Sequence, residues 1–157
     1  MGVLNSGAEG SAVAIINTAA AVGFGTVVRS VSGFAALTAM LLGMGGNPLL
    51  SEAVAITLLA GATGSSSGGM TIALEALATK YLEVAHASGI SPEAFHRIAT
   101  VASGGLDTLP HCGAVITLLA VCKLTHKDSY LDIGVVCCVI PLIAVSVIVF
   151  LGSFGIV

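Results

Sequence analysis

The clearest chemical signal in the sequence is a run of three serines and two glycines, Ser65, Ser66, Ser67, Gly68 and Gly69. The run lies in a polar break at residues 61–70, between two apolar segments. Serine hydroxyls and the free backbone amides at the start of a helix bind anions, and the positive end of the helix dipole adds to this attraction. The pattern therefore predicts a site for a small anion.

A second polar break, at residues 103–113, contains Asp107 and His111. An ionisable residue within an apolar segment is a functional candidate, because such a residue is costly to keep there. Asp107 is interpreted either as a functional residue or as a helix cap. His111 is interpreted either as a functional residue or as a structural hydrogen-bonding residue. A pair of interrupted apolar segments also indicates the binding site of a transporter.

Two enzyme motifs overlap the first break. Residues 64–71 have the glycine spacing of a P-loop, but Met70 stands in place of the lysine that contacts phosphate, which disfavours nucleotide binding. Residues 64–68 match the G-x-S-x-G nucleophile elbow. An intramembrane serine hydrolase, with Ser66 as nucleophile and His111 as base, is therefore one alternative hypothesis. An inactive structural membrane fragment is another.

Composition indicates an integral membrane protein, and the apolar segments predict that its fold is all-α. Of the 157 residues, 56% are hydrophobic and 8% are charged, with a mean hydropathy of +1.07, whereas soluble domains have about 25% charged residues. The net charge of −3 excludes nucleic-acid binding. Because the four cysteines lack metal-ligand spacing, we expect no metal and no cofactor.

The elements around the breaks follow from their lengths. Each apolar flank of the first break has roughly ten residues, half of the about 20 that span a bilayer. Irregular backbone at membrane depth survives only inside protein or along a water-filled cavity. We therefore predict a single domain over 1–157, with a re-entrant hairpin at 49–86, a broken helix at 91–124 and a transmembrane helix at 133–154. The broken helix is predicted to start with Ser91 as N-cap and Pro92 at its first position.

The segments Ser11–Val28 and Gly33–Met44 form either a second broken pair or one kinked span, and the sequence leaves both open. No arginine lies within either polar break. Helix ends and hydroxyls are therefore expected to hold the anion.

Residues 46–77, GNPLLSEAVAITLLAGATGSSSGGMTIALEAL, and 90–121, ISPEAFHRIATVASGGLDTLPHCGAVITLLAV, resemble the gluconate permease family, most closely its D-beta-hydroxybutyrate permeases. The resemblance implies the C-terminal repeat of an ion-transporter-superfamily carrier built from two inverted repeats. It implies that the substrate contacts residues of both breaks, namely Ser65, Ser66, Ser67, Gly68, Gly69, Thr108 and His111, and that Asp107 serves the coupling ion. Cys112 departs from the family, whose motif has asparagine there.

The function that we expect is secondary active transport of a small hydroxy-carboxylate, of the D-beta-hydroxybutyrate or gluconate type, by proton symport. The expected partners are a small organic anion, a proton, the lipid bilayer and the missing N-terminal repeat; whether a homo-oligomer forms is left open. The expected location is the inner (plasma) membrane, as a multi-pass protein. These 157 residues alone are expected not to transport, because a two-repeat carrier places its site between the repeats.

Overall fold

The computed structural model describes residues 2–156, and every regular element among them is helical. Met1 and Val157, the ends of the predicted domain 1–157, lie outside the described residues. The elements are α1 (Gly2–Ser30), α2 (Ser32–Leu42), α3 (Pro48–Thr63), α4 (Ser66–Ser88), α5 (Pro92–Ser103), α6 (Gly113–Cys122), α7 (His126–Ile133), a π-helical segment (Gly134–Val139) and α8 (Ile140–Ser153).

The first break joins α3 and α4 into a helical hairpin. Asn47 caps α3, since its side chain accepts a hydrogen bond from the Leu49 amide at 3.0 Å. The helix ends because Gly64 adopts a left-handed conformation (φ 61°), which an L-residue rarely takes. Ser65 then caps α4 by accepting from the Gly68 amide at 3.2 Å. Most of the predicted break at 61–70 is therefore helical, and only Gly64 and Ser65 lie between the two helices, each as the cap of one of them.

The hairpin arms are longer than the roughly ten residues that the apolar flanks suggest. α3 has 16 residues and α4 has 23, which correspond to about 24 Å and 35 Å of helix at 1.5 Å per residue. The extra length of α4 comes from a polar continuation that contains Glu75, Lys80 and Glu83. These residue types favour helix as much as leucine does, so charge does not end the helix.

The core is organised around α3, which packs against α4, α5, α8, α1 and α2. Its fully buried side chains include Leu49, Ile56 and Leu59. Near the tip the two arms approach so closely that a Cβ on Gly69 would lie 2.2 Å from the Ala60 Cα. Only glycine fits at this crossing, which fixes how the Ser65–Gly68 turn is presented.

The second break separates α5 from α6. Ser91 and Pro92 start α5 as predicted, with the Ser91 hydroxyl accepting from the Ala94 amide at 3.3 Å. The last turn of α5 is held against α3, because Thr57 Oγ1 donates to the Ala102 carbonyl at 3.0 Å. A Cβ on Gly105 would lie 3.4 Å from Thr57 and 3.1 Å from Leu142. The second break is therefore packed against the hairpin rather than free.

The arrangement of α1 and α2, left open by the sequence, is a sharp bend. The helix axes change direction by 76° between Gly23–Ser30 and Ser32–Leu41. Val31, at the junction, has an extended conformation (φ −82°, ψ 140°).

Within the described residues, one helix is long and apolar enough to cross a membrane, or two if the bent α1–α2 pair counts as one span. That helix is continuous from His126 to Ser153 and includes the π-helical segment. It begins at His126, before the predicted start at residue 133. Thr125 and Asp128 form a capping box that starts the helix within the polar segment. Eight of its apolar side chains are exposed, including Leu131, Ile143 and Phe150.

Candidate functional site

An open cavity of about 440 Å³ lies at the turn of the hairpin. It brings together the hairpin tip, the second break, the start of α6 and the end of α1. The lining residues are Gly25, Arg29, Thr63, Gly64, Ser65, Ser66, Ser67, Gly68, Ile72, Asp107, Cys112, Gly113 and Ala114. The two polar breaks, about 40 residues apart in sequence, therefore form one site.

The first wall of the cavity is the start of α4. Ser66 and Ser67 occupy its first turn, directly after the capping residue Ser65. The hydroxyls of Ser65 and Ser67 lie 3.5 Å apart. Because the positive end of the helix dipole lies here with hydroxyl donors around it, this wall attracts an anion.

The second wall is the start of α6. Cys112 is the N-cap residue, but its side chain makes no capping hydrogen bond to the first turn. Gly113 and Ala114, whose amides belong to that first turn, line the cavity. A second helix N-terminus thus faces the site, without the side-chain cap that an asparagine would offer. Two positive helix ends converge on one space.

Arg29 is a cavity residue that the sequence analysis did not assign. It lies in the last turn of α1, outside both breaks. Gly25, one turn earlier, passes the tip closely, since a Cβ there would lie 3.8 Å from the Thr63 carbonyl oxygen. Arg29 therefore brings a positive charge to the cavity, in addition to the hydroxyls and helix ends of the two breaks. The signal in the sequence was a single arginine that ends an apolar segment.

Asp107 contributes the negative group of the site. Its carboxyl group lies beside the Ser66 side chain, and both residues line the cavity. Within the described part of the chain, its Oδ1 atom is buried and has no hydrogen-bond partner. Asp107 is therefore positioned beside the tip with unused hydrogen-bonding capacity.

His111 lies behind the tip and does not line this cavity. Its Nε2 is 2.9 Å from the Gly61 carbonyl oxygen. A carbonyl oxygen only accepts, so Nε2 carries the proton in this bond. The imidazole also packs on Phe24, with ring centroids 5.6 Å apart. These contacts are those expected if His111 is a structural hydrogen-bonding residue, which was one of the two interpretations from sequence.

Thr108 and Gly69 also face away from the cavity. Thr108 Oγ1 lies 3.3 Å from Cys138 Sγ, and its carbonyl accepts from the Tyr130 hydroxyl at 3.4 Å. Gly69 is buried in the crossing of α3 and α4. Of the residues assigned from sequence, the structure gathers Ser65, Ser66, Ser67, Gly68 and Asp107 at the cavity. It does not bring Gly69, Thr108 or His111 to it.

Comparison with known proteins adds one relative. The chain is 51% identical over 130 residues to the uncharacterized transporter YxjC of Bacillus subtilis (strain 168). The similarity supports a transporter family. The aligned region covers 83% of this chain but only 28% of the relative, so the chain spans less than a third of the relative's length. No protein-family profile matches the chain, and no solved structure matches it.

The transporter relative and the apolar helix His126–Ser153 together indicate a membrane protein. The relative's name suggests a protein that is not an enzyme, and it gives no substrate. The resemblance to gluconate permeases therefore stays a prediction.

The hydrolase alternative is not favoured. Ser66 faces Asp107, whereas His111 Nε2 already donates to Gly61 on the other side of the tip. A nucleophile needs the base within hydrogen-bond reach, and the structure does not bring the two residues together. In the described residues, no group of three or more histidine, cysteine or acidic side chains is placed to hold a metal ion.

Proposed function

We propose that this chain forms one half of the binding site of a secondary carrier that moves a small hydroxy-carboxylate together with a proton. The observation that carries the proposal is the shared cavity, which combines two helix N-termini, Arg29, the serine turn and Asp107. The similarity to a transporter supports the general function. The family resemblance supports the substrate class, of the D-beta-hydroxybutyrate or gluconate type.

The substrate carboxylate binds between the starts of α4 and α6. Arg29 provides a full positive charge and a fork of donors that matches a carboxylate. Ser66 and Ser67 donate hydrogen bonds from the tip. The substrate hydroxyl then has neighbouring serine oxygens as acceptors. Each donor is held by a rigid helix end, which favours a small ligand over a flexible chain.

The proton binds at Asp107. The carboxylates of the substrate and of Asp107 repel each other across a cavity of about 440 Å³, and a proton on Asp107 removes the repulsion. By thermodynamic linkage, each ligand then increases the affinity for the other by the same factor. A protonated Asp107 also no longer needs the Ser66 hydroxyl as a donor, which frees that hydroxyl for the substrate.

The wider assembly is part of the same proposal. We place the hairpin as a re-entrant element and the chain as part of a multi-pass protein of the inner membrane. The facing repeat of the carrier supplies the other wall of the open cavity. The exposed apolar side chains of α8 contact lipid or that repeat.

The proposal is tested by uptake in liposomes that contain a full-length homologue with these cavity residues. Under an inward proton gradient we expect saturable uptake of labelled 3-hydroxybutyrate, competed by gluconate and lost with a protonophore. Butane-1,3-diol, which has the hydroxyls but no carboxylate, is the matched competitor and should have no effect. Uptake that is unchanged when the proton gradient is removed would refute proton symport. Competition by the diol as strong as that by gluconate would refute carboxylate recognition.

A further inference from the structure

A second cavity, of about 300 Å³, lies between α3, α4 and α5 on the far side of the hairpin. Its lining is mostly apolar, with Met70, Leu74 and Phe95 among its walls. Glu52 of α3 and Tyr81 of α4 also line it, although their side chains are only 1% and 5% exposed. The cavity therefore has a polar floor inside an apolar shell.

Two polar atoms at this floor, Glu52 Oε2 and the Tyr81 hydroxyl, make no hydrogen bond of good geometry among the described residues, although the Ser51 side chain lies beside the hydroxyl. Buried polar atoms are hydrogen-bonded in the great majority of cases, and an orphaned atom costs about 1–3 kcal/mol. A buried carboxylate with no counter-charge costs considerably more. Two such atoms in one cavity indicate that a bound proton or water molecule supplies the hydrogen bonds that the protein does not.

We propose that Glu52 is a proton-binding site, reached by water through the cavity that it shares with Tyr81. A carboxylate that takes up one proton becomes a neutral acid with one O–H donor, so its uncompensated charge disappears. The cavity has room for several water molecules of about 30 Å³ each. Its polar lining also includes His96 and Thr100, both on the exposed side of α5.

The surroundings of Glu52 contain few competing charges. The titratable groups that line this cavity with Glu52 are Tyr81 from α4 and His96 from α5. Ser51 also lies beside the Tyr81 hydroxyl. The residues of α8 that pack against α3 in the neighbouring groove are uncharged, namely Leu142, Val145, Ser146 and Val149. Among the described residues that line the cavity, a proton at Glu52 therefore has a tyrosine hydroxyl and, at the exposed side, a histidine as neighbours, and no second carboxylate.

This site is separate from the anion cavity. Glu52 precedes Thr63, which ends α3 at the tip, by about 16 Å of helix at 1.5 Å per residue. The two residues share one rigid helix, so a change of charge at Glu52 acts on the element that carries the tip. That Glu52 contributes to proton coupling rests on the proposed symport; that it binds a proton does not.

The first test is an infrared pH titration of the 157-residue chain in lipid nanodiscs. We expect the carbonyl band of a protonated carboxyl group, shifted in heavy water because the cavity exchanges with solvent. In an Asp107→Asn background, which removes the other carboxyl group proposed to bind a proton, Glu52→Gln should remove this band. Glu83→Gln, at an exposed glutamate of α4, should retain it. Tyr81→Phe removes a hydroxyl only and should shift the band. A band that survives Glu52→Gln unchanged, or its absence at every pH in the unmutated chain, would overturn the proposal.

The second test measures coupling in a full-length homologue that carries Glu52 and Tyr81. The readout is the ratio of hydroxybutyrate uptake with and without the proton gradient. Glu52→Gln should lower this ratio at least tenfold toward unity, and Glu83→Gln should leave it unchanged. An unchanged ratio in Glu52→Gln would refute a coupling role. Absence of any uptake in the unmutated protein would refute the proposed function, while the infrared titration still decides whether Glu52 binds a proton.

Discussion

His111 and Gly61 are joined by a hydrogen bond of 2.9 Å, from the imidazole Nε2 to the carbonyl oxygen near the end of α3. The two residues are 50 positions apart and belong to different breaks. The ring occupies the space beside Gly64, where a Cβ would lie 2.6 Å from His111 Cδ2. The bond therefore fastens the second break to the hairpin and holds Asp107 beside Ser66.

Replacing His111 with alanine should destabilise the protein rather than remove a substrate contact. The lost hydrogen bond and the void beside Phe24 should together cost about 1–3 kcal/mol of unfolding free energy. Denaturation of the purified chain in detergent measures this, with His86→Ala, an exposed residue at the end of α4, as control. Equal stability of both variants would show that the junction is not fastened by His111.

Gly69→Ala should destabilise the hairpin, because the new Cβ would meet the Ala60 backbone at 2.2 Å. Overpacking of this kind costs about 1–3 kcal/mol or more. Gly23→Ala is the matched control, since it is also helical but has nothing within 4 Å of its added Cβ, and it should be neutral or slightly stabilising. Thermal unfolding of both variants in detergent tests the difference. If Gly69→Ala unfolds at no lower a temperature than Gly23→Ala, the close contact between Gly69 and the Ala60 backbone is wrong.

Ser66→Ala and Ser67→Ala should each weaken substrate binding. A hydrogen bond to a charged group is worth about 1.5–3 kcal/mol, so apparent affinity should fall roughly ten- to a hundredfold. Concentration-dependent uptake in a full-length homologue measures the loss. Ser88→Ala is the control, because that hydroxyl already donates to Val84 of its own helix at 2.6 Å. Unchanged affinity in both tip variants would remove the tip from the binding site.

Arg29→Gln should also weaken binding about ten- to a hundredfold, since it removes the positive charge that faces the carboxylate. Arg29→Lys should lose less, because the charge remains while the two-pronged geometry is lost. Arg97→Gln is the control, as Arg97 lies on the exposed side of α5 and outside the cavity. The loss of affinity in Arg29→Gln should be smaller at high salt. Equal affinities of Arg29→Gln and the unmutated carrier would contradict the proposal that Arg29 binds the substrate carboxylate.

Asp107→Asn should abolish the pH dependence of accumulation while it preserves the shape of the side chain. The amide cannot carry the proton that offsets the substrate charge, so uptake should no longer respond to a pH gradient. Accumulation ratios at several external pH values measure this, with the exposed Asp132→Asn as control. If the pH response persists in Asp107→Asn, the residue acts only as a helix cap.

Local sequence was enough to predict the membrane class, the two breaks and several helix ends. Ser91 and Pro92 start α5 as predicted, because capping and proline sterics act within a few residues. The polar serine- and glycine-rich run likewise indicated where the hairpin turns, and the turn itself is formed by Gly64 and Ser65. The polar helix α7 was missed, since charged residues such as lysine are also good helix formers.

Tertiary structure alone decided which side chains meet. Arg29 reaches the tip only because α1 packs across it, and Thr108 turns toward Cys138 because the π-helical segment lies there. His111 is drawn behind the tip by a carbonyl 50 residues away. Such contacts depend on how helices stack and not on the residues next to each one in the chain. The break residues were thus predictable from the sequence, whereas their directions were determined by packing.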